Sequence, residues 1–313
     1  MSDLDLPESS NPGPHDPLSA FHLGDLTVEE KGVRASQLLC SQFADHRGLI
    51  ELPALAVLFD HCGGLPFHRV HGDPAAATLQ ARLSLSTHGR AQIGDLLAAR
   101  AEVVMHDDGW GSSSVEIRSG AQQLCCFGTA RSVRVGRAVA GAASAAELAT
   151  ASPKCDDHHG VTLPAAIPAG LSGRAVVEEI ATKQRDPGPL VEMLNGTVEV
   201  LDGATEREAG VRFRSATDPW MGNMFGTMHG GVIAAIVGQA GSFAGHLHAG
   251  VGQEYSIGDM AIGFYRSPAV DGGEVTVEVT PIKTGRRIAS FEATMTSYDD
   301  VLLSRATLDI HYR

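Results

Sequence analysis

The feature that most constrains this 313-residue chain is a run of small apolar residues, Gly226-Thr-Met-His-Gly-Gly-Val-Ile-Ala-Ala-Ile-Val-Gly-Gln-Ala-Gly241. Read as a helix, it has almost no polar face, so other structure must enclose it. Its Ala and Gly content also makes it thin, which lets a sheet approach closely despite the propensity cost of each Gly. A second run, Gly48-Leu-Ile-Glu-Leu-Pro-Ala-Leu-Ala-Val-Leu-Phe-Asp60, has the same character. Four strand-like segments follow each run, near 76–87, 96–106, 111–118 and 122–134 in the first half, and near 257–266, 274–283, 287–297 and 301–311 in the second. One order of signals therefore occurs twice, a long-period internal repeat.

The alternation Val275/Val277/Val279 and Phe291/Ala293/Met295 suits antiparallel sheets with one buried face. The expected class is α+β: two tandem hotdog folds, each a curved antiparallel sheet wrapped around a central apolar helix, forming an intramolecular pseudo-dimer. Composition divides the chain into a Pro- and Ser-rich disordered tail (1–20), an N-terminal domain (21–135), an Ala/Gly-rich linker (136–172) and a C-terminal domain (173–313).

With 24 basic against 37 acidic residues the net charge is −13, which repels phosphate backbones and anionic headgroups, so no nucleic acid or membrane partner is expected. The first residues, MSDLDLPESSNPGPHDP, are unlike a signal peptide, and no uncharged run of about 18 strongly apolar residues stands out. A cytoplasmic protein is expected. Five cysteines without a C-x-x-C read as reduced thiols, and Cys125-Cys126 on a strand should point to opposite faces, with at most one buried. Lys154-Cys-Asp-Asp-His-His159 reads as a solvated linker, so no metal is expected.

The densest chemical signal is Asn223-x-x-Gly226-x-x-His229-Gly230-Gly231 running into the apolar helix. Two glycines at a helix start leave backbone N–H groups accessible, with the positive end of the dipole behind them. Such a donor suits the oxygen that gains charge when a thioester carbonyl is attacked. A helix entry capped by Asn is the plainer structural account.

Together with Phe264-Tyr-Arg-Ser-Pro268 and Thr284-Gly-Arg-Arg287, this motif resembles the phenylacetate-pathway (PaaI-type) branch of hotdog acyl-CoA thioesterases, over most of 187–313. The resemblance implies that Asn223 and His229 act from one unit, that Gly230 supplies the oxyanion N–H, and that the other unit gives an acid nine positions after its own His. Gly231 and, near the phosphates of coenzyme A, Arg286 and Arg287 would bind substrate. Nine residues after His229 stands Gly238, whereas the first helix carries Asp60 but has Glu51 nine positions earlier and no HGG. The two halves lack opposite parts. The hydroxyl that such enzymes place on the next strand falls at Gly258 in one half and Thr78 in the other, with Ser256 on the same strand face as Gly258.

One composite site is thus expected: Asp60 and Thr78 from one half, Asn223, His229 and Gly230 from the other. Its reaction would be hydrolysis of a small aromatic or medium-chain acyl-CoA, with coenzyme A entering only as part of the substrate and no other cofactor. A homo-oligomer, a dimer of double hotdogs, is the expected assembly. Asp60 would sit at a helix C-terminus, where a carboxylate opposes the dipole. Two other readings compete. A hotdog hydratase or dehydratase needs Asp and His at about D-x-x-x-x-H spacing, which Asp259 lacks. A non-catalytic acyl-CoA-binding scaffold would tolerate the split motif.

Overall fold

The computed structural model describes residues 15–30, 32–70, 76–138, 152–155 and 161–313. The N-terminal half runs α1 (Pro17–Ala20), β1 (Leu23–Val28), β2 (Gly32–Leu38), α2 (Leu52–Val70), β3 (Ala76–Thr87), β4 (Leu96–His106), β5 (Trp110–Arg118) and β6 (Leu124–Ala138). The C-terminal half runs α3 (Gly173–Ala181), α4 (Pro189–Met193), β7 (Gly196–Leu201), β8 (Gly210–Ala216), α5 (Gly230–Leu247), β9 (Tyr255–Phe264), β10 (Glu274–Lys283), β11 (Ile288–Ser297) and β12 (Leu302–Tyr312). Among the described residues the strands form one twelve-stranded sheet in the order β1-β2-β4-β5-β6-β3-β9-β12-β11-β10-β8-β7. The order is palindromic: β3 answers β9, β6 answers β12, and so outward to the edges. Antiparallel pairing of β3 with β9, from Arg82↔Gly263 to Ser86↔Asp259, joins the halves. This is a double hotdog.

The four strands after each long helix lie within a few residues of their expected positions. The two strands before each helix were not expected; they are short, and β1 and β7 form the sheet edges, where half the ladder is unpaired and the hydrophobic alternation is weak. β5 and β8 show the one-sided burial that the period-2 pattern implies.

α5 is long and apolar enough to cross a membrane, contrary to the expectation that no such run exists, but 94 % of that span is buried inside the protein. Its glycines let the sheet close in: a Cβ on Gly241 would stand 2.4 Å from Leu308 Cδ2. α2 also departs from expectation. It continues past Gly63-Gly64 and through Pro66 to Val70, so Asp60 lies mid-helix and the argument from an opposed dipole fails. Tertiary wrapping overrides the breaker signals here, since a Cβ on Gly63 would meet Ala130 Cβ at 2.4 Å.

Three further expectations change. The tail does not reach residue 20, because Asp16 caps α1 through the N–H groups of Leu18 and Ser19, with Pro17 at the first helical position; Ala20 and Phe21 are buried. Residues 1–14 lie outside the described residues, as do 139–151 and 156–160 of the linker, including His158 and His159. Cys40 and Cys155 are joined in a disulfide rather than reduced, with Cα atoms 5.9 Å apart. Cys125 and Cys126 are both buried, because the β5–β6 register slips beside Cys125 and breaks the alternation.

Candidate active site

α2 and α5 pack antiparallel. The N-terminus of α5 lies against the middle of α2, where a Cβ on Gly231 would stand 2.6 Å from Val57 Cα, and Gly238 lies against Pro53 near the start of α2. This brings Asp60 onto the N-terminus of α5. The Gly231 N–H donates to Asp60 Oδ2 at 2.6 Å and also faces His229 Nδ1 at 3.0 Å. His229 Nδ1 and Asp60 Oδ2 are 3.1 Å apart. Asp60 of one half thus lies beside His229 and Gly231 of the other.

Burial sets the electrostatics. The Asp60 carboxyl is 4 % exposed and desolvation pushes its pKa up to about 7, against the opposing pull of the Gly231 N–H and Gln80. Desolvation lowers His229 to about 4, so its ring is neutral at pH 7. Nδ1 and Oδ2 both accept from the Gly231 N–H, which lies between them, so a neutral ring carries its proton on Nε2. His229 Nε2, on the far side of the ring, and the Gly230 N–H at the helix end remain for a ligand. Asp60 Oδ1 is buried without a hydrogen-bond partner, the arrangement of a group kept for use.

Gly230 must lack a side chain, since a Cβ there would come within 2.9 Å of Asp60 Oδ2. The approach to it is a tight turn: Asn223 N–H donates to Thr227 O, Gly226 holds φ +72°, and His229 N–H donates to Met221 O at 2.9 Å. Asn223 is built into this turn: its Oδ1 accepts from the N–H of Phe225 at 2.8 Å and of Thr227 at 3.3 Å, and its Nδ2 lies 3.4 Å from Met228 O. An Asx turn satisfies those amides locally.

Thr78 is half-buried and pairs with Arg134, whereas Gln80, two residues on, bonds the main chain beside the acid: its Nε2 donates to the Asp60 backbone O at 3.1 Å and its Oε1 accepts from Ser132 Oγ at 2.7 Å. We expect Gln80→Leu to lower activity about tenfold and to move the pH–rate midpoint above about 7, because the amide lowers the Asp60 pKa. An unchanged profile would make Gln80 purely structural.

Arg286 and Arg287 are exposed and distant. Arg287 O accepts from Tyr312 N, and Tyr312 pairs with Tyr255 at the start of β9, whereas the motif loop bonds through Met228 N to Pro268 O beyond the other end. A ten-residue strand puts roughly 30 Å between them. Both lie at the far end of the C-terminal half from the motif. Around the motif, Trp220 and Met221 are core residues, and Met224 and Phe225 are exposed. His61 was missed; it follows Asp60 on α2, and burial, then His229, lowers its pKa to about 3.

The pseudo-symmetric position is chemically empty. The Asp60–Gly231 contact has its counterpart in Gly238–Pro53, so the acid is replaced by a residue without a side chain and the donor by one without an N–H. Beside it lies a different buried network: Arg47 bridges Asp45 (2.6 Å) and Glu51 (3.0 Å), and His46 Nε2 meets His246 Nδ1 at 2.8 Å. Among the described residues one trio, His22, Cys40 and Cys155, has metal-ligand spacing, but its two sulfurs are joined.

Burial depresses the pKa of His46, His61 (to about 3), His229 (to about 4) and His246 (to about 2). Below the ordinary value of 6.5 the unfolded chain binds protons that the folded chain refuses, so stability is lost as pH falls toward 4. The raised Asp60 and Glu51 act in the opposite sense but are fewer. A thermal unfolding series should show Tm falling from pH 6.5 to 4; a rise would mean the carboxyls dominate.

Residues 225–304 match the family described as the thioesterase superfamily. No curated protein matches the chain in sequence. Among solved structures, the tesB protein of Mycobacterium avium subsp. paratuberculosis is similar at TM-score 0.59 and 8 % identity, over 95 % of this chain and 97 % of that one. A hot dog protein of Alicyclobacillus acidocaldarius is similar at TM-score 0.56 and 10 % identity, over 95 % and 97 %. The acyl-CoA thioesterase II of Mycobacterium marinum gives TM-score 0.52 and 11 % identity over the same shares. These likenesses establish the double-hotdog fold. The family match spans the α5 motif and the four strands that follow it.

Proposed function

We propose that the chain hydrolyses an acyl-CoA thioester at the single composite site between α2 and α5. The observation that carries this reading is Asp60, buried in one half, bonded to the Gly231 N–H and 3.1 Å from His229 of the other half.

In this reading the thioester carbonyl accepts hydrogen bonds from the Gly230 N–H and from His229 Nε2. Asp60 takes a proton from water as the water oxygen attacks, and the tetrahedral intermediate expels the thiolate, which receives that proton and leaves as thiol. A prearranged backbone donor at the oxyanion supplies about 3 kcal/mol of barrier lowering. A base with a pKa of about 7 is matched to neutral pH. Gly231 acts by holding Asp60, and Asn223 by shaping the turn that presents His229. The pattern Asn223 to Gly231 supports a PaaI-type enzyme acting on a small aromatic or medium-chain acyl group. A cytoplasmic dimer of double hotdogs fits the acidic composition and the fold.

The test is thiol release from a panel of acyl-CoAs. We expect turnover by the wild type and a loss of about 10²–10³-fold in His229→Ala. Binding of acyl-CoA without hydrolysis of any would replace this reading with that of a scaffold.

A further inference from the structure

The disulfide between Cys40 and Cys155 is chemically lopsided. Cys40, after β2, is 8 % exposed, and His22 Nδ1 stands 3.0 Å from its sulfur. Cys155 belongs to residues 152–155 of the linker and is half-buried, and Ser152 Oγ in the same segment donates to Asp25 Oδ1 at 3.0 Å. Contacts fix the tautomer of His22. Gln42 Nε2 lies 3.1 Å from Ala20 O, a group that only accepts, so this end of the amide is its NH₂. The same nitrogen is 3.1 Å from His22 Nε2, which must therefore accept. A neutral ring then carries its proton on Nδ1, pointing at Cys40 Sγ.

We propose that Cys40–Cys155 is a thiol-exchange site, in which a low-molecular-weight thiol attacks Cys155 and His22 stabilises the departing Cys40 thiolate. The attacking thiolate forms a new S–S bond to Cys155 Sγ as the Cys155–Cys40 bond breaks, and the electron pair leaves on Cys40 Sγ, which accepts a hydrogen bond from His22 Nδ1–H. A second thiol molecule displaces the adduct from Cys155, so two thiols are oxidised to one disulfide and both cysteines are reduced. Reduction releases a covalent anchor of the linker beside His22, which adjoins Phe21, whose ring lies 6.4 Å from that of Trp220, just ahead of the motif turn.

The test uses the full chain purified without reductant. Denatured and alkylated directly, three of its five cysteines should react. After limiting glutathione and an acid quench, peptide mapping should place glutathione on Cys155 and a free thiol on Cys40. His22→Asn, chosen because Asn tolerates the φ of +51° at this position, should slow reduction about tenfold. Reaction of all five thiols before reduction, glutathione on Cys40, or an unchanged rate in a folded His22→Asn protein would each overturn the proposal. Should that variant fail to fold, the wild-type adduct map decides alone.

Discussion

Asp60→Asn should abolish turnover while making the protein more stable above neutral pH. Removing a general base costs about 10²–10⁴-fold in rate, and the wild-type rate should rise with pH through about 7, where Asp60 loses its proton. The stability effect follows from linkage. Because the folded pKa of Asp60 is raised from its ordinary 3.8 to about 7, the folded state is favoured below pH 4 and loses that advantage as pH rises through 7. The gap corresponds to about 4 kcal/mol at alkaline pH. Asn removes this cost and keeps an oxygen for the Gly231 N–H. Denaturant unfolding at pH 8 and pH 4 should therefore show a large gain over wild type at the first and little at the second. Retained activity would remove Asp60 from the chemistry, and equal stability at pH 8 would mean that its carboxylate is already well solvated.

Gly231→Ala should fail for a different reason. In an isolated helix the change would be favourable by up to about 1 kcal/mol. Here the new Cβ would sit 2.6 Å from Val57 Cα, 3.0 Å from Ala56 O and 3.1 Å from Asp60 Cβ. Two of those atoms are backbone in the middle of a buried helix and cannot rotate away, so α5 must retreat from α2. Overpacking of this kind costs about 1–3 kcal/mol, and the retreat stretches the 2.6 Å bond that holds Asp60. We expect a lower unfolding midpoint together with at least a hundredfold loss of rate. Gly230→Ala separates the two effects. The atoms nearest its Cβ would be those of the Asp60 carboxylate, a side-chain end that can turn, so activity should fall with little loss of stability. Wild-type stability in Gly231→Ala would show that the helices tolerate wider spacing than their contact implies.

Much of this was written locally. The hydrophobic period of β10 and β11 located those strands, because alternation survives wherever one face is buried and one is wet. The acid in one helix and HGG before the other were visible as complementary losses, since each survives as a residue type at a countable spacing. Local reading misled where enclosure was strongest: Asp60 read as the end of its helix, yet α2 runs on through Gly63, Gly64 and Pro66 with the sheet packed against it. Gln80, which bonds the backbone of Asp60, is an ordinary residue type on its strand and left no local signal. A pairing 115 residues apart, Cys40 with Cys155, left no local trace.

The sequence by itself determined two enclosed helices, their antiparallel meanders, and which half carries the acid and which the helix-end donors, because composition and short-range spacing act through backbone propensity and burial. Only the tertiary structure decided that Asp60 meets Gly231 and His229, that its carboxyl is raised to about 7, that Asn223 is built into a turn, and that Gly238 and Pro53 leave the mirror position without chemistry. Those outcomes depend on distances and desolvation between segments about 170 residues apart in the chain, which exist only once the two helices have packed.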